Sequence, residues 1–417
     1  MEHHLPARSR ASLNPWLICA ACFLVIAVDG FDTSAIAYVA PALTHIWHLP
    51  HAAMTPAFIA TSVGAVLGYL LSGAIAKRMS RRSEIALATL AFAAFSLLTV
   101  VSSGILMLSV IRFFTAVCLG LVVPASISLA ADSAPDHARA SATIAAATGL
   151  SAGSAFGGLL SAKLIAEFGW EAVFIAGGLV PVLLLPAIRY AIPREQTQTS
   201  APIDMHRTID DPVSGKTRGL LAPGLVTDTT TVWLVAFLGF LVTYLFIFWT
   251  PMLLLSYGFT ASSAALGAAA SAFGGITGNV LLFLLERRLG VQRSLIITIS
   301  ITMVCIAGFQ MDGLSQWAVL LLIFGVGIGT TSACVGQATL ATVLYPKALR
   351  TTGVGYAAAV GRFGAIIGPS LGGFLISLGM SAQRIVLLSC VPLTIVAIVL
   401  IFSHTRITLQ RKALTLS

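Results

Sequence analysis

Apolar runs follow one another along almost the whole chain, each closed by a charged cluster or a Pro/Gly break. A helix of ~20 predominantly apolar residues crosses a bilayer, so each run is predicted to be a membrane-spanning helix. Twelve such spans fall at 16–41, 54–76, 84–103, 105–130, 140–164, 171–192, 231–256, 262–285, 294–312, 315–343, 351–378 and 384–403. Short polar links leave most neighbours antiparallel. The exception is 193–230, which carries Pro193, Pro202, Pro212 and Pro223 and a concentration of acidic residues. It divides the chain into a first unit (1–192), a linker (193–230) and a second unit (231–417). The pattern predicts an all-α polytopic membrane protein built as two six-helix bundles.

Composition narrows the class. Of 417 residues, 57% are apolar and 9% are charged, where a soluble protein carries about a quarter charged. A soluble enzyme, a nucleic-acid-binding domain and a disordered chain are excluded. The formal charge of +9 matters less than where it lies. One set of loops holds Lys77, Arg78, Arg81, Arg82, Arg139, Arg194, Arg207, Lys216, Arg218, Arg287, Arg288, Arg293, Lys347, Arg350, Arg406, Arg411 and Lys412. The opposite loops hold Lys163 and Arg384. By the positive-inside rule both termini are expected in the cytoplasm. The run after Arg8 and Arg10 is full length without a small-residue cleavage site, so it is expected to be a retained span rather than a signal peptide.

The two halves resemble each other at an offset of about 210 residues. Arg139, Gly153 and Gly157 in the fifth span correspond to Arg350, Gly364 and Gly368 in the eleventh. Pro41 corresponds to Pro251, and Lys77-Arg78 to Glu286-Arg287. Repeated halves in a membrane protein point to a transporter whose site lies at the midplane between them.

Ionisable groups at that depth are costly, about 2.5–3.5 kcal/mol each on insertion scales, and need a reason. The first span carries Asp29 and Asp32 near its centre, three residues apart on one helix face, where two charges repel. The pair is therefore predicted to carry protons; a structural pair locked to basic neighbours is the alternative. Arg362 lies near the middle of the eleventh span. Its planar fork matches a carboxylate, so it either holds an anionic substrate or neutralises Asp29 or Asp32. For Arg112, in the fourth span, snorkelling or structural pairing stands beside a part in coupling. Of the aromatic residues near this depth, Tyr244 and Phe31 are the candidates to sandwich a planar ligand. Asn279 and Gln337 are expected to make interhelical hydrogen bonds. The glycines at intervals of about four in the fifth and eleventh spans read as close helix contacts, not phosphate loops.

The six cysteines lie in apolar stretches and are expected to be small buried hydrophobes. His45, His48 and His51 are expected on a solvated loop. No metal site and no cofactor is predicted.

Taken with these motifs, the whole chain resembles the major facilitator superfamily, and within it the bacterial aromatic acid:proton symporter family. Asp29-Gly30-Phe31-Asp32 is similar to that family's D-G-x-D signature. The stretch from Tyr345-Pro346 through Arg350, Gly353, Gly355, Gly361-Arg362 and Gly364 to Gly368-Pro369 resembles its eleventh-helix signature. Arg112, Gly120 and Pro124 match the superfamily's fourth-helix pattern, with Ala116 in place of one glycine. After the second span, Gly73, Arg78, Arg81 and Arg82 match the loop pattern G-x-x-x-D-R-x-G-R-R. Lys77 stands at its acidic position and Ser80 at its second glycine.

The resemblance implies a pseudo-symmetric secondary transporter in the bacterial inner membrane. It would import a small aromatic carboxylate of the benzoate or hydroxybenzoate type with protons and act as a monomer. It further implies that Arg112, Asp132, Lys77, Arg78, Arg82, Glu286, Arg287 and Arg350 serve gating or structural charge. A symporter for a non-aromatic acid and an exporter are the alternative readings.

Overall fold

The fold is described from a computed structural model covering residues 15–75, 78–135, 138–191, 219–222, 224–346 and 349–416. Lys77, Lys347 and most of the linker fall outside these residues. In a bilayer a chain satisfies its backbone groups within its own helices, and among the described residues there is no strand. The first half contains α1 (Pro15–Ile46), α2 (Thr55–Ile75), α3 (Arg81–Thr99), α4 (Ile105–Ser133), α5 (Arg139–Phe168) and α6 (Glu171–Ala191). The second contains α7 (Val226–Leu254), α8 (Ala265–Leu289), α9 (Val291–Gly308), α10 (Gln316–Leu344), α11 (Arg350–Ser377), α12 (Ala382–Leu388) and α13 (Cys390–Leu416). A break at Ser389 separates α12 from α13, which together make the twelfth span.

Eleven of these spans are long and apolar enough to cross a membrane among the described residues. The remaining one, α6, has 21 residues, which at 1.5 Å each rise about 31 Å and complete the twelve. The chain is a multi-pass membrane protein of two six-helix bundles.

Local chemistry explains where the helices differ from the apolar runs. Ser80 accepts a hydrogen bond from the Ser83 amide (3.3 Å) and so starts α3 at Arg81, ahead of its apolar run. Helix α1 continues past Pro41 to Ile46, because a transmembrane helix tolerates proline when neighbours satisfy the freed backbone. Helix α7 begins at Val226, inside the polar stretch. Asp228 lies in its first turn, where a carboxylate suits the positive end of the helix, and it pairs with Arg406 of α13.

Within each half the same packing recurs. Helix α5 lies on α1, and α11 lies on α7. A Cβ on Gly153 would strike the Ala27 carbonyl, and one on Gly364 the Phe237 carbonyl. The repeat at offset 211 therefore preserves a backbone-to-backbone contact in both bundles. Between the halves, α5 meets α8, α2 meets α11 and α1 meets α7. An apolar core joins the bundles on the face away from the termini: Phe58 of α2 stacks on Phe248 of α7 at 5.0 Å and meets Trp249 edge-on at 4.9 Å. A second cluster, including Ile26, Ile85, Phe92 and Leu119, stays within the first bundle. The halves are thus sealed together on the face away from the termini.

Candidate functional site

Two charged centres occupy the middle of the molecule. The first belongs wholly to the first bundle. Arg112, fully buried on α4, donates from Nη1 to the Asp32 carboxylate at 2.9 Å and from Nη2 to the Asp32 main-chain carbonyl at 2.8 Å. Ser96 of α3 donates its hydroxyl to the other Asp32 oxygen at 2.7 Å. The Phe174 ring of α6 lies 5.6 Å from the guanidinium. Four helices therefore converge on one ion pair, and burial strengthens each of its hydrogen bonds. Of the readings open for Arg112, pairing is the one observed.

Asp29, one turn earlier on α1, is also buried but held loosely, accepting one long hydrogen bond from Thr33 (3.4 Å). The charges of Asp32, Arg362 and Arg112 act on it. Two acids that look alike in the sequence thus sit in different surroundings. Phe31, between them, is partly buried and lies against Gly157 of α5 and Gly177 of α6.

The second centre spans the halves. Arg362 of α11, partly buried, lays its guanidinium over the Tyr69 ring of α2 at 3.9 Å from the centroid. Its Nη1 is 3.5 Å from the Tyr244 hydroxyl of α7, and the Phe240 ring centroid is 5.8 Å away. Phe240 and Tyr244 are nearly parallel, with centroids 6.0 Å apart and planes 9° apart. Gly361 makes room for Phe240: a Cβ there would approach its ring to 2.9 Å. Among the described residues no carboxylate forms an ion pair with Arg362. Arg362 is thus a partly buried cation lying on one ring face, with a second ring and a phenol hydroxyl beside it.

The remaining predicted charges lie at the ends of the bundles near the termini. Asp132 pairs with Arg81, which joins the ends of α4 and α3. Arg78 is exposed in the turn after α2, and Arg82 is partly buried in the first turn of α3. Glu286 is partly buried near the end of α8, while Arg287 stacks on Phe283 of its own helix at 4.4 Å. Arg350 donates from Nε to the Tyr345 carbonyl at 3.2 Å. Glu84 accepts from Ser72 of α2 at 3.1 Å and so ties α3 to α2. Among the described residues, no group of three or more His, Cys, Asp or Glu has metal-binding geometry. The buried Asn279 and Gln337 side-chain oxygens have no hydrogen-bond partner, so the expected interhelical bonds are not formed at those atoms.

Sequence reasoning missed Tyr69, Ser96 and Thr33. A tyrosine or a hydroxyl on an apolar span carries no distinctive signal, and each partner is decided by packing.

Two repeated bundles with charged groups at their mid-depth junction define a secondary transporter. The chain belongs to the Major Facilitator Superfamily, which it matches over residues 22–339. It is 30% identical to the gallate transporter of Pseudomonas putida, over 94% of this chain and 92% of that protein. To the 4-hydroxybenzoate transporter of Pseudomonas aeruginosa it is 29% identical, over 90% of each. The solved structure of a D-xylose-proton symporter superposes with a TM-score of 0.73 at 14% identity, over 92% of this chain and 97% of that one. That likeness concerns the fold. The expectation of a transporter rather than an enzyme holds with the family.

Proposed function

We propose that the protein imports a small aromatic carboxylate with protons by alternating access. The observation that carries this reading is the Arg362 guanidinium, which forms no ion pair among the described residues and is bordered by the rings of Tyr69, Tyr244 and Phe240. Its fork fits a carboxylate, and the rings fit a planar aromatic body. The named substrates of the similar proteins, gallate and 4-hydroxybenzoate, belong to this class. A non-aromatic acid would satisfy the guanidinium and leave the rings unused.

Asp29 is the proton carrier in this reading. It is buried, weakly hydrogen-bonded and within electrostatic reach of Arg362, so its charge and the substrate's influence each other. Asp32 is the fixed member, neutralised by Arg112. Units 1–192 and 231–417 rock about this midplane, with 193–230 linking them at the cytoplasmic face. The distribution of Lys and Arg supports cytoplasmic termini in a bacterial inner membrane. The face sealed by Phe58, Phe248 and Trp249 is then the outer one. Because one chain holds both halves of the site, the monomer is the working unit.

Proteoliposome uptake tests the reading. Labelled 4-hydroxybenzoate should accumulate when the outside is acidified, and unlabelled gallate should compete. Cyclohexanecarboxylate should compete poorly. Equal competition by the saturated acid favours the non-aromatic reading, and accumulation without a proton gradient removes the coupling.

A further inference from the structure

Arg362 reaches across the molecule. Its own rings, Phe240 and Tyr244, stand on α7 of the same bundle, but the ring it lies on, Tyr69, belongs to α2 of the other. That placement is built in. On α2, Gly64 and Gly68 face Ala116 and Gly120 of α4 so closely that a Cβ on Gly68 would overlap the Val117 carbonyl and come within 2.8 Å of the Gly120 Cα. The contact seats α2 against α4, immediately before Tyr69. All three of Tyr69, Tyr244 and Arg362 keep partial exposure.

A carboxylate competes well for a guanidinium held on a ring face, because the two-pronged charge-assisted hydrogen bond is stronger than a cation–π contact. When the guanidinium turns to a carboxylate, the face of Tyr69 is released. A ligand whose ring is bonded to that carboxylate has its own ring next to the released face, with Phe240 and Tyr244 of α7 also beside Arg362. We propose that Tyr69 is the specificity residue for the ring: it seats Arg362 as seen here, and it stacks on the substrate's aromatic ring once the carboxylate has drawn the guanidinium away. The stacked ring then touches both bundles, which makes recognition of aromaticity part of bringing the halves together. This inference rests on the aromatic-carboxylate reading given above and adds to it a residue from the first bundle.

The test is a comparison of two probes with the same charge, 4-hydroxybenzoate and cyclohexanecarboxylate, binding to the purified full-length protein in nanodiscs. Tyr69→Leu should weaken 4-hydroxybenzoate about fivefold, the scale of one lost aromatic stack, and leave cyclohexanecarboxylate within about twofold. Tyr69→Phe should keep the wild-type preference, since the ring and not the hydroxyl does the work. Tyr69→Met supplies a second ring-free variant should Tyr69→Leu fold poorly. Equal loss of both acids in the ring-free variants would mark a structural role and overturn the proposal, as would an unchanged preference. A wild-type protein that binds neither acid, or binds both alike, removes the aromatic reading itself and the inference with it.

Discussion

Arg112 grips Asp32 at two points, the carboxylate at 2.9 Å and the main-chain carbonyl at 2.8 Å, with both side chains sealed from solvent. The second bond fixes the α1 backbone as well as the side chain. Asp29, one turn away, has a single 3.4 Å bond to Thr33. The two acids therefore divide by how they are held: one anchors α1 to α3 and α4, and the other has a single long bond, as the proposed function asks of its proton carrier.

Breaking the anchor should cost stability. Removing one partner of a buried ion pair strands the other and costs about 3–5 kcal/mol. Arg112→Ala and Asp32→Asn should each lower the thermal midpoint of the detergent-solubilised protein clearly, whereas Asp29→Asn should leave it nearly unchanged. A drop of the same size for Asp29→Asn contradicts the division.

Coupling should follow Asp29. Returning a bare carboxylate through a dry midplane is costly, and protonation removes the charge. Asp29→Asn should abolish accumulation driven by a pH gradient while counterflow of 4-hydroxybenzoate between equal pools continues. Gradient-driven accumulation at the wild-type level in Asp29→Asn would sink this role.

At Arg362 the shape of the cation matters beyond its charge. Lysine keeps the charge but loses both the planar fork and the flat stack on Tyr69. Arg362→Lys should raise the dissociation constant for 4-hydroxybenzoate about tenfold, in the range of one charge-assisted hydrogen bond. Titration calorimetry on the folded variant measures it, and wild-type affinity would make the arginine dispensable for the carboxylate.

Much of this was legible because the bilayer makes polar residues conspicuous. Asp29, Asp32, Arg112 and Arg362 stand out in apolar spans; Asp32 and Arg112 form one centre, Arg362 belongs to the other, and Asp29 lies one turn from Asp32. What the sequence left open was which charge meets which. Asp32 and Arg112 are 80 residues apart, and their pairing is decided by how α1 packs on α4. Phe31 and Tyr69 show the same limit. The motif made Phe31 conspicuous and it lies, partly exposed, against Gly157 and Gly177, while Tyr69 has no motif and lies under the guanidinium. The acids of α1 do act on each other as like charges, but the hydroxyls of Ser96 and Thr33 that make their surroundings unequal are ordinary residues on apolar helices.

The glycines of α11 allow the final prediction, since two of them on one helix should respond in opposite directions. A Cβ on Gly364 would strike the Phe237 carbonyl and come within 3.0 Å of the Leu241 amide nitrogen, both backbone atoms that cannot swing aside. A Cβ on Gly355 would meet nothing within 4 Å. Gly364→Ala must therefore push α11 off α7, an overpacking cost of about 1–3 kcal/mol. Gly355→Ala adds a better helix former in open space and should stabilise by up to about 1 kcal/mol. Thermal unfolding of the two variants reads both signs. Transport separates packing from bending: α11 carries Arg362, so the shift in Gly364→Ala should also weaken 4-hydroxybenzoate binding, while Gly355→Ala should transport normally. A stable Gly355→Ala that binds normally but transports slowly would show that α11 bends at Gly355 during the cycle, and the glycine would then serve motion rather than merely occupy an exposed position.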